Sequence, residues 1–141
     1  MSVPLLASVL RERARLESHD GWTRDVMLAY QARRLAELRS FAVAKSPFYA
    51  DLYRGLDDLP LASLPTVTKA TLMERFDDLV TDPDVRLNEV EAYLTTAGAT
   101  DHFRGRYRDS ATGGTTGRRG VFLADASEWT MVVASYSRAY V

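Results

Sequence analysis

At 141 residues, with 46% apolar and 26% charged side chains, the chain has the size and composition of one soluble globular domain. Its formal net charge of −1 provides no overall field that would gather nucleic acid or a membrane surface. It contains no cysteine, which excludes disulfides, thiolate metal sites and a cysteine nucleophile and suits a reducing compartment. A secretory leader carries positive charge ahead of its apolar run. Here the apolar run of residues 1–10 precedes the first arginine, Arg11, and is far too short to span a bilayer. The expectation is a cytoplasmic protein without a membrane or nucleic-acid partner.

Taken in chain order, residues 3–17 predict a helix, with Leu6, Val9, Leu10 and Leu16 near helical spacing. The Ser18–Gly21 cluster ends it and leaves His19 as a surface histidine. Thr23 is an N-cap candidate for a second helix, whose stripe of Leu28, Ala32, Leu35, Leu38 and Ala42 predicts a packed face. Pro47 disfavours helix at Ser46 and suits the first turn of a new short helix over 48–54, with an aromatic face of Phe48, Tyr49 and Tyr53. Pro60 and Pro65 stiffen the next loop. Thr68 caps a predicted helix that runs to Val80 and is stopped at Thr81–Pro83. Asn88 and Glu91 form a loose capping box that opens a short turn to Leu94.

The pattern then changes. Residues 95–105 read as a flexible break, with His102 solvated or at a phosphate. Residues 106–141 read as strand, glycine loop, strand and helix, the helix opened by an Asp125–Glu128 capping box. The expected organisation is a single incomplete α/β domain, helical over 1–94, with the break at 95–105 and a phosphate-loop hairpin plus buried helix over 106–141. The last helix is apolar nearly all round and carries no stop signal, so it predicts burial on all sides. A lone hairpin is marginal in water. Together these predict either further chain beyond residue 141 or self-association through the apolar C-terminal helix.

The chemistry concentrates in Ser110–Gly120, S-A-T-G-G-T-T-G-R-R-G. Glycines leave no Cβ in the way and let backbone N–H groups converge on an anion. Threonine hydroxyls add donors, and Arg118 and Arg119 add charge suited to phosphate oxygens. Between Asp101 and Gly120 five arginines face two aspartates, a local balance of +3. The stretch is neither a G-x-x-x-x-G-K-[ST] loop nor a G-x-G-x-x-G fingerprint. Its composition fits a polyphosphate site and equally an ordinary turn-rich hairpin connection.

The segment Thr112-Gly-Gly-Thr-Thr-Gly117 resembles the phosphate loop of adenylate-forming enzymes, T-S-G-[ST]-T-G-x-P-K. Its flanks, Gly105-Arg-Tyr, Gly120-Val-Phe-Leu and Glu128-Trp129, are similar to the phenylacetate–CoA ligase-like branch. So are Lys45-Ser-Pro-Phe-Tyr49, Leu59-Pro60, Leu64-Pro65, Thr68-Lys69 and Phe76-Asp-Asp-Leu-Val80. The resemblance implies the start of a larger adenylate-forming N-terminal domain and an ATP-dependent carboxylate–CoA ligase. In that family the loop grips the ATP phosphates while a small carboxylic acid attacks the α-phosphate. Pyrophosphate leaves, and coenzyme A takes the acyl group. ATP, Mg²⁺ and coenzyme A are the implied cofactors.

Carried over, Thr112, Gly113, Gly114, Thr115, Thr116 and Gly117 are the implied phosphate-binding residues. Gly113 replaces the usual serine, Arg119 the usual proline and Gly120 the usual lysine, so Arg118 or Arg119 is the candidate phosphate cation. The family's adenine, ribose and magnesium motifs and its adenylation lysine are not among these residues. The expectation is therefore a part of a site, inactive alone, with no catalytic residue or metal ligand assigned. A non-catalytic nucleotide- or phosphate-binding module and a helical interaction protein are the alternatives.

Overall fold

The computed structural model describes residues 3–56, 59–98, 100–112 and 119–138. It is a mixed α/β fold: helices α1 (Val3–Glu17), α2 (Arg24–Lys45), α3 (Pro47–Leu52), α4 (Lys69–Glu74), α5 (Phe76–Leu79), α6 (Leu87–Leu94) and α7 (Ala126–Ser137) accompany an open two-stranded antiparallel sheet of β1 (Arg108–Ala111) and β2 (Val121–Ala124). Two compact units divide the chain. One holds Met1–Gln31, Ala99–Ser110 and Phe122–Val141; the other holds Ala32–Gly98 and Ala111–Val121.

In the first unit α1 packs along α7. The α1 face is set by Leu5, Val9, Glu12 and Leu16, of which Val9 is buried; Leu6 and Leu10, expected on that stripe, turn outward. The α7 start is fixed by its capping box. The Asp125 carboxylate accepts from the Ser127 and Glu128 N–H groups at 2.8 and 3.0 Å, and the Glu128 carboxylate accepts from the Asp125 N–H at 2.7 Å. Ala134 is buried, whereas Met131, Val132 and Tyr136 are exposed. The all-round burial predicted for this helix is thus not met by the described residues.

His19 also departs from expectation. It is half-buried, stacked on Trp22 with ring centroids 4.0 Å apart, and both rings lie 5.2 Å from Tyr30. The turn that ends α1 is therefore an aromatic cluster, further tied by an Arg138–Asp20 ion pair.

The second unit buries Ser46, Phe48, Leu64, Met73, Phe76, Val85, Val90 and Val121. Ser46 is the hinge of its packing. Its hydroxyl accepts from the Tyr49 N–H at the α3 start and donates to the Asp78 carbonyl at 3.0 Å. Phe48, next in sequence to Pro47, is 2% exposed, and α3 contacts α5. The Phe48–Tyr49–Tyr53 face thus supplies core.

Three local expectations change. The helix expected over 68–80 starts at its Thr68 cap, whose hydroxyl accepts from the Thr71 N–H at 3.2 Å, but breaks at Arg75 (φ −113°, ψ 30°). The Arg75 guanidinium reaches Asp51 and Asp78 and lies 5.1 Å from the Phe48 ring centroid. These tertiary contacts accompany the break that propensity alone does not predict. The α6 start is capped by Asp77, whose carboxylate accepts from the Leu87 N–H at 2.8 Å, rather than by Asn88. Finally, Leu28 and Leu38 of α2 are about half exposed, and α2 buries none of its side chains fully among the described residues. Its partly covered face in this unit is Leu35, Arg39 and Ala42.

Candidate functional site

The hairpin is built by a change of period. Arg108–Ala111 and Val121–Ala124 are short extended runs on either side of the glycine–threonine stretch, and each is four residues long. Val121 is 2% exposed and its N–H points to the Met73 sulfur at 3.4 Å, a weak bond that fixes the root of β2.

Directly above that root stand the two ends of the loop. The Thr112 N–H donates to the Gly120 carbonyl at 2.9 Å, and the Gly120 N–H donates to the Thr112 Oγ1, also at 2.9 Å. An antiparallel hydrogen-bonded pair normally exchanges two backbone bonds. Here a threonine side chain takes the place of one carbonyl. Acting as acceptor, the hydroxyl keeps one O–H to donate elsewhere. Thr112 is exposed and Gly120 buried.

Of the predicted phosphate-binding residues, then, Thr112 stands at the loop neck, and the candidate cation Arg119, next to Gly120 in sequence, is exposed. Gly113, Gly114, Thr115, Thr116, Gly117 and Arg118 lie outside the described residues.

Upstream, in the first unit, a miniature hairpin spans the end of the expected break and the first two residues of the expected strand, which itself begins only at Arg108. Phe103 and Tyr107 exchange two backbone bonds, 2.8 and 3.0 Å, around a tip where Arg104 and Gly105 both take positive φ, 53° and 66°. Glycine tolerates that backbone readily and arginine does not, so the tip holds Arg104 in an uncommon conformation. Both Phe103 and Tyr107 are buried. The arginines that made this region basic in sequence lie over rings: Arg104 over Phe103 at 5.6 Å, Arg106 over Tyr107 at 4.7 Å and Arg108 over Trp129 at 5.4 Å. Sequence reading treated them as local charge; the geometry gives them a cation–π packing role as well. The alternation of arginine with aromatic residues over 103–108 is the signal that could have disclosed it.

The Glu128 backbone N–H and the Ser127 hydroxyl hold the Asp125 carboxyl below the usual carboxylate range, and Arg106 adds to this. Among the described residues no group of three or more histidine, aspartate or glutamate side chains is placed to hold a metal ion. No helix there is long and apolar enough to cross a membrane.

Comparison with protein-family models, with curated proteins and with solved structures finds no match. The site is accordingly read from its own chemistry. In the first unit a groove of about 930 Å³ runs between α1 and α7 past Leu5, Ser8, Glu12, Ser127 and Met131. In the second unit a smaller concavity of about 350 Å³ is edged by Arg39, Val43 and Tyr53. The candidate site is the hairpin neck formed by Thr112 and Gly120.

Proposed function

We propose that Thr112–Arg119 is the ATP phosphate-gripping element of an adenylate-forming carboxylate–CoA ligase, and that the chain belongs to the start of such an enzyme's larger N-terminal domain. The observation that carries the reading is the neck. A segment reading T-G-G-T-T-G-R-R leaves β1 at Thr112 and rejoins the chain at Gly120 through two bonds of 2.9 Å. A clasped, glycine-rich connection of this kind suits donors that must converge on one anion without reorganising when charge develops.

The chemistry assigned to this chain is electrostatic. Backbone N–H groups of Gly113, Gly114 and Gly117 and the hydroxyls of Thr115 and Thr116 hold the phosphate chain, while Arg118 and Arg119 supply the cation that a lysine gives elsewhere in the family. ATP, when bound with Mg²⁺, supplies the activated phosphate that a small carboxylic acid attacks; coenzyme A supplies the accepting thiol. These residues orient and neutralise the departing phosphates and carry no general acid or base, so turnover by the 141 residues alone is not expected. A cytoplasmic setting, where ATP and coenzyme A are held, fits the reading.

The test is titration of the chain with Mg-ATP by calorimetry, beside an Arg118→Gln/Arg119→Gln double variant. Saturable binding that the double variant weakens supports the assignment. Equal affinity in both proteins removes the arginines from it, and absence of binding to either removes the phosphate site.

A second reading is favoured by one observation: Met131, Val132 and Tyr136 of α7 and Leu6 and Leu10 of α1 are exposed apolar side chains within one unit. We propose that this surface self-associates, independently of nucleotide.

A further inference from the structure

We infer that Met131 is a modification site, oxidised to its sulfoxide by a peroxide, and that the Arg15 guanidinium receives the new oxygen and so ties α7 to α1 in the oxidised chain. The device is independent of the phosphate site and of self-association.

The methionines of the described residues differ in what their sulfurs meet. Met73 is 8% exposed, and its sulfur engages the buried Val121 N–H. Met27 is half-buried in α2. Met131 is 38% exposed and walls the groove of about 930 Å³ between α1 and α7, which is ample for a peroxide. Susceptibility to oxidation follows exposure, which singles out Met131. Its Sδ lies 4.0 Å from Arg15 Nη2, a weak N–H···S contact. Arg15 is held in place there: Glu12 accepts from Nε at 2.7 Å and from Nη2, and Tyr30 is a further side-chain partner.

In the reaction a sulfur lone pair attacks one oxygen of the peroxide. An S–O bond forms and the O–O bond breaks. The departing oxygen takes up the proton of the transferred one and leaves as water. Sulfur gives up two electrons and the peroxide gains them. A thioether is a weak acceptor, whereas the sulfoxide is polar. An oxygen bonded to Sδ covers part of the 4.0 Å and accepts a charge-assisted bond in place of a weak one. The guanidinium carries five N–H donors, so it serves the new oxygen without giving up Glu12. The polar product, which elsewhere disrupts packing, thus meets a partner on the facing helix.

The experiment treats the whole chain, in dilute solution, with hydrogen peroxide. Peptide mass spectrometry reads which methionine is oxidised, and the thermal midpoint before and after reads the tie. Met131 is expected to oxidise about tenfold faster than Met73. Arg15 is exposed, so its replacement is compatible with folding. On oxidation the midpoint of Arg15→Leu should fall about 4 °C or more further than that of the native chain, the weight of one bond to a charged group. Glu12→Gln keeps the guanidinium and removes the ion pair, and should respond as the native chain does. Met131→Leu should not respond at doses that convert Met131. Oxidation of Met73 as fast as Met131 overturns the site. Equal falls in the native chain and Arg15→Leu overturn the tie. So does a Glu12→Gln chain that behaves like Arg15→Leu, because the ion pair and not the donor then decides the outcome. A midpoint shift in Met131→Leu equal to the native one assigns the effect to another residue and overturns the inference as well.

Discussion

Single residues do unequal work in this chain. Ser46 is 1% exposed, caps α3 and donates to the Asp78 carbonyl, so one hydroxyl serves a helix end and a tertiary contact together. Ser46→Ala is expected to cost about 1–3 kcal/mol, read as a lower urea midpoint with an unchanged slope. The sequence marked Ser46 only as the residue before a proline, because burial and the distant carbonyl belong to the folded chain. The arginines near the glycine stretch split in the same way. Arg104, Arg106 and Arg108 lie over rings, whereas Arg118 and Arg119 are proposed as phosphate cations from their place in the sequence. Replacing both by glutamine is expected to reduce Mg-ATP affinity about tenfold or more, the weight of a charge-assisted contact.

At the scale of elements, the Asp125–Glu128 box is the clearest case of a local rule that holds in three dimensions. Asp125→Ala is expected to destabilise α7 by about 1 kcal/mol at neutral pH. The Asp125 carboxyl titrates below its ordinary range in the folded chain, because the Glu128 N–H and Ser127 hydroxyl favour its charged form. Its contribution is therefore present above the unfolded-state value of about 3.9 and is lost as pH falls through the lower folded value. The stability gap between the native chain and Asp125→Ala should shrink on acidification, which denaturant titrations at neutral and strongly acidic pH would reveal.

The same scale shows where sequence legibility stopped. The extents of α1, α2 and α3 and the caps at Thr23, Thr68 and Asp125 follow from signals a few residues apart. The Arg75 break and the Asp77 cap of α6 depend on partners 10 to 32 positions away, such as Leu87, Asp51 and the Ser46–Asp78 bond, and no window of periodicity contains them. The α2 stripe failed for a related reason. Its alanines and leucines fit helical spacing, but which face is covered was decided by neighbours such as Leu56 and Leu59, whose carbonyls hold Arg39 at 2.9 and 2.8 Å. In the hairpin, the flanking strands were legible; the Thr112–Gly120 clasp was not, because a threonine in a turn-rich run looks like any other donor.

For the molecule as a whole, two facts frame its behaviour. Its contacts gather into two compact units, each with its own buried residues. In the first of them a helix lettered for burial leaves Tyr136 at 68% exposure, with Val132 and Met131 also open. Fully burying such side chains stabilises by about 1.5–3 kcal/mol each, which is the proposed drive for self-association. Sedimentation velocity over a dilution series should show a concentration-dependent species in the native chain that Val132→Ser/Tyr136→Ser reduces to monomer. A concentration-independent monomer in both would end that proposal.

The central claim concerns the glycine–threonine stretch, and amide exchange with and without saturating Mg-ATP addresses it most directly. Added protection confined to residues 112–120, and absent in the Arg118→Gln/Arg119→Gln variant, is the predicted result. Exchange across 112–120 that nucleotide leaves unmoved would contradict it and return the stretch to an ordinary hairpin connection.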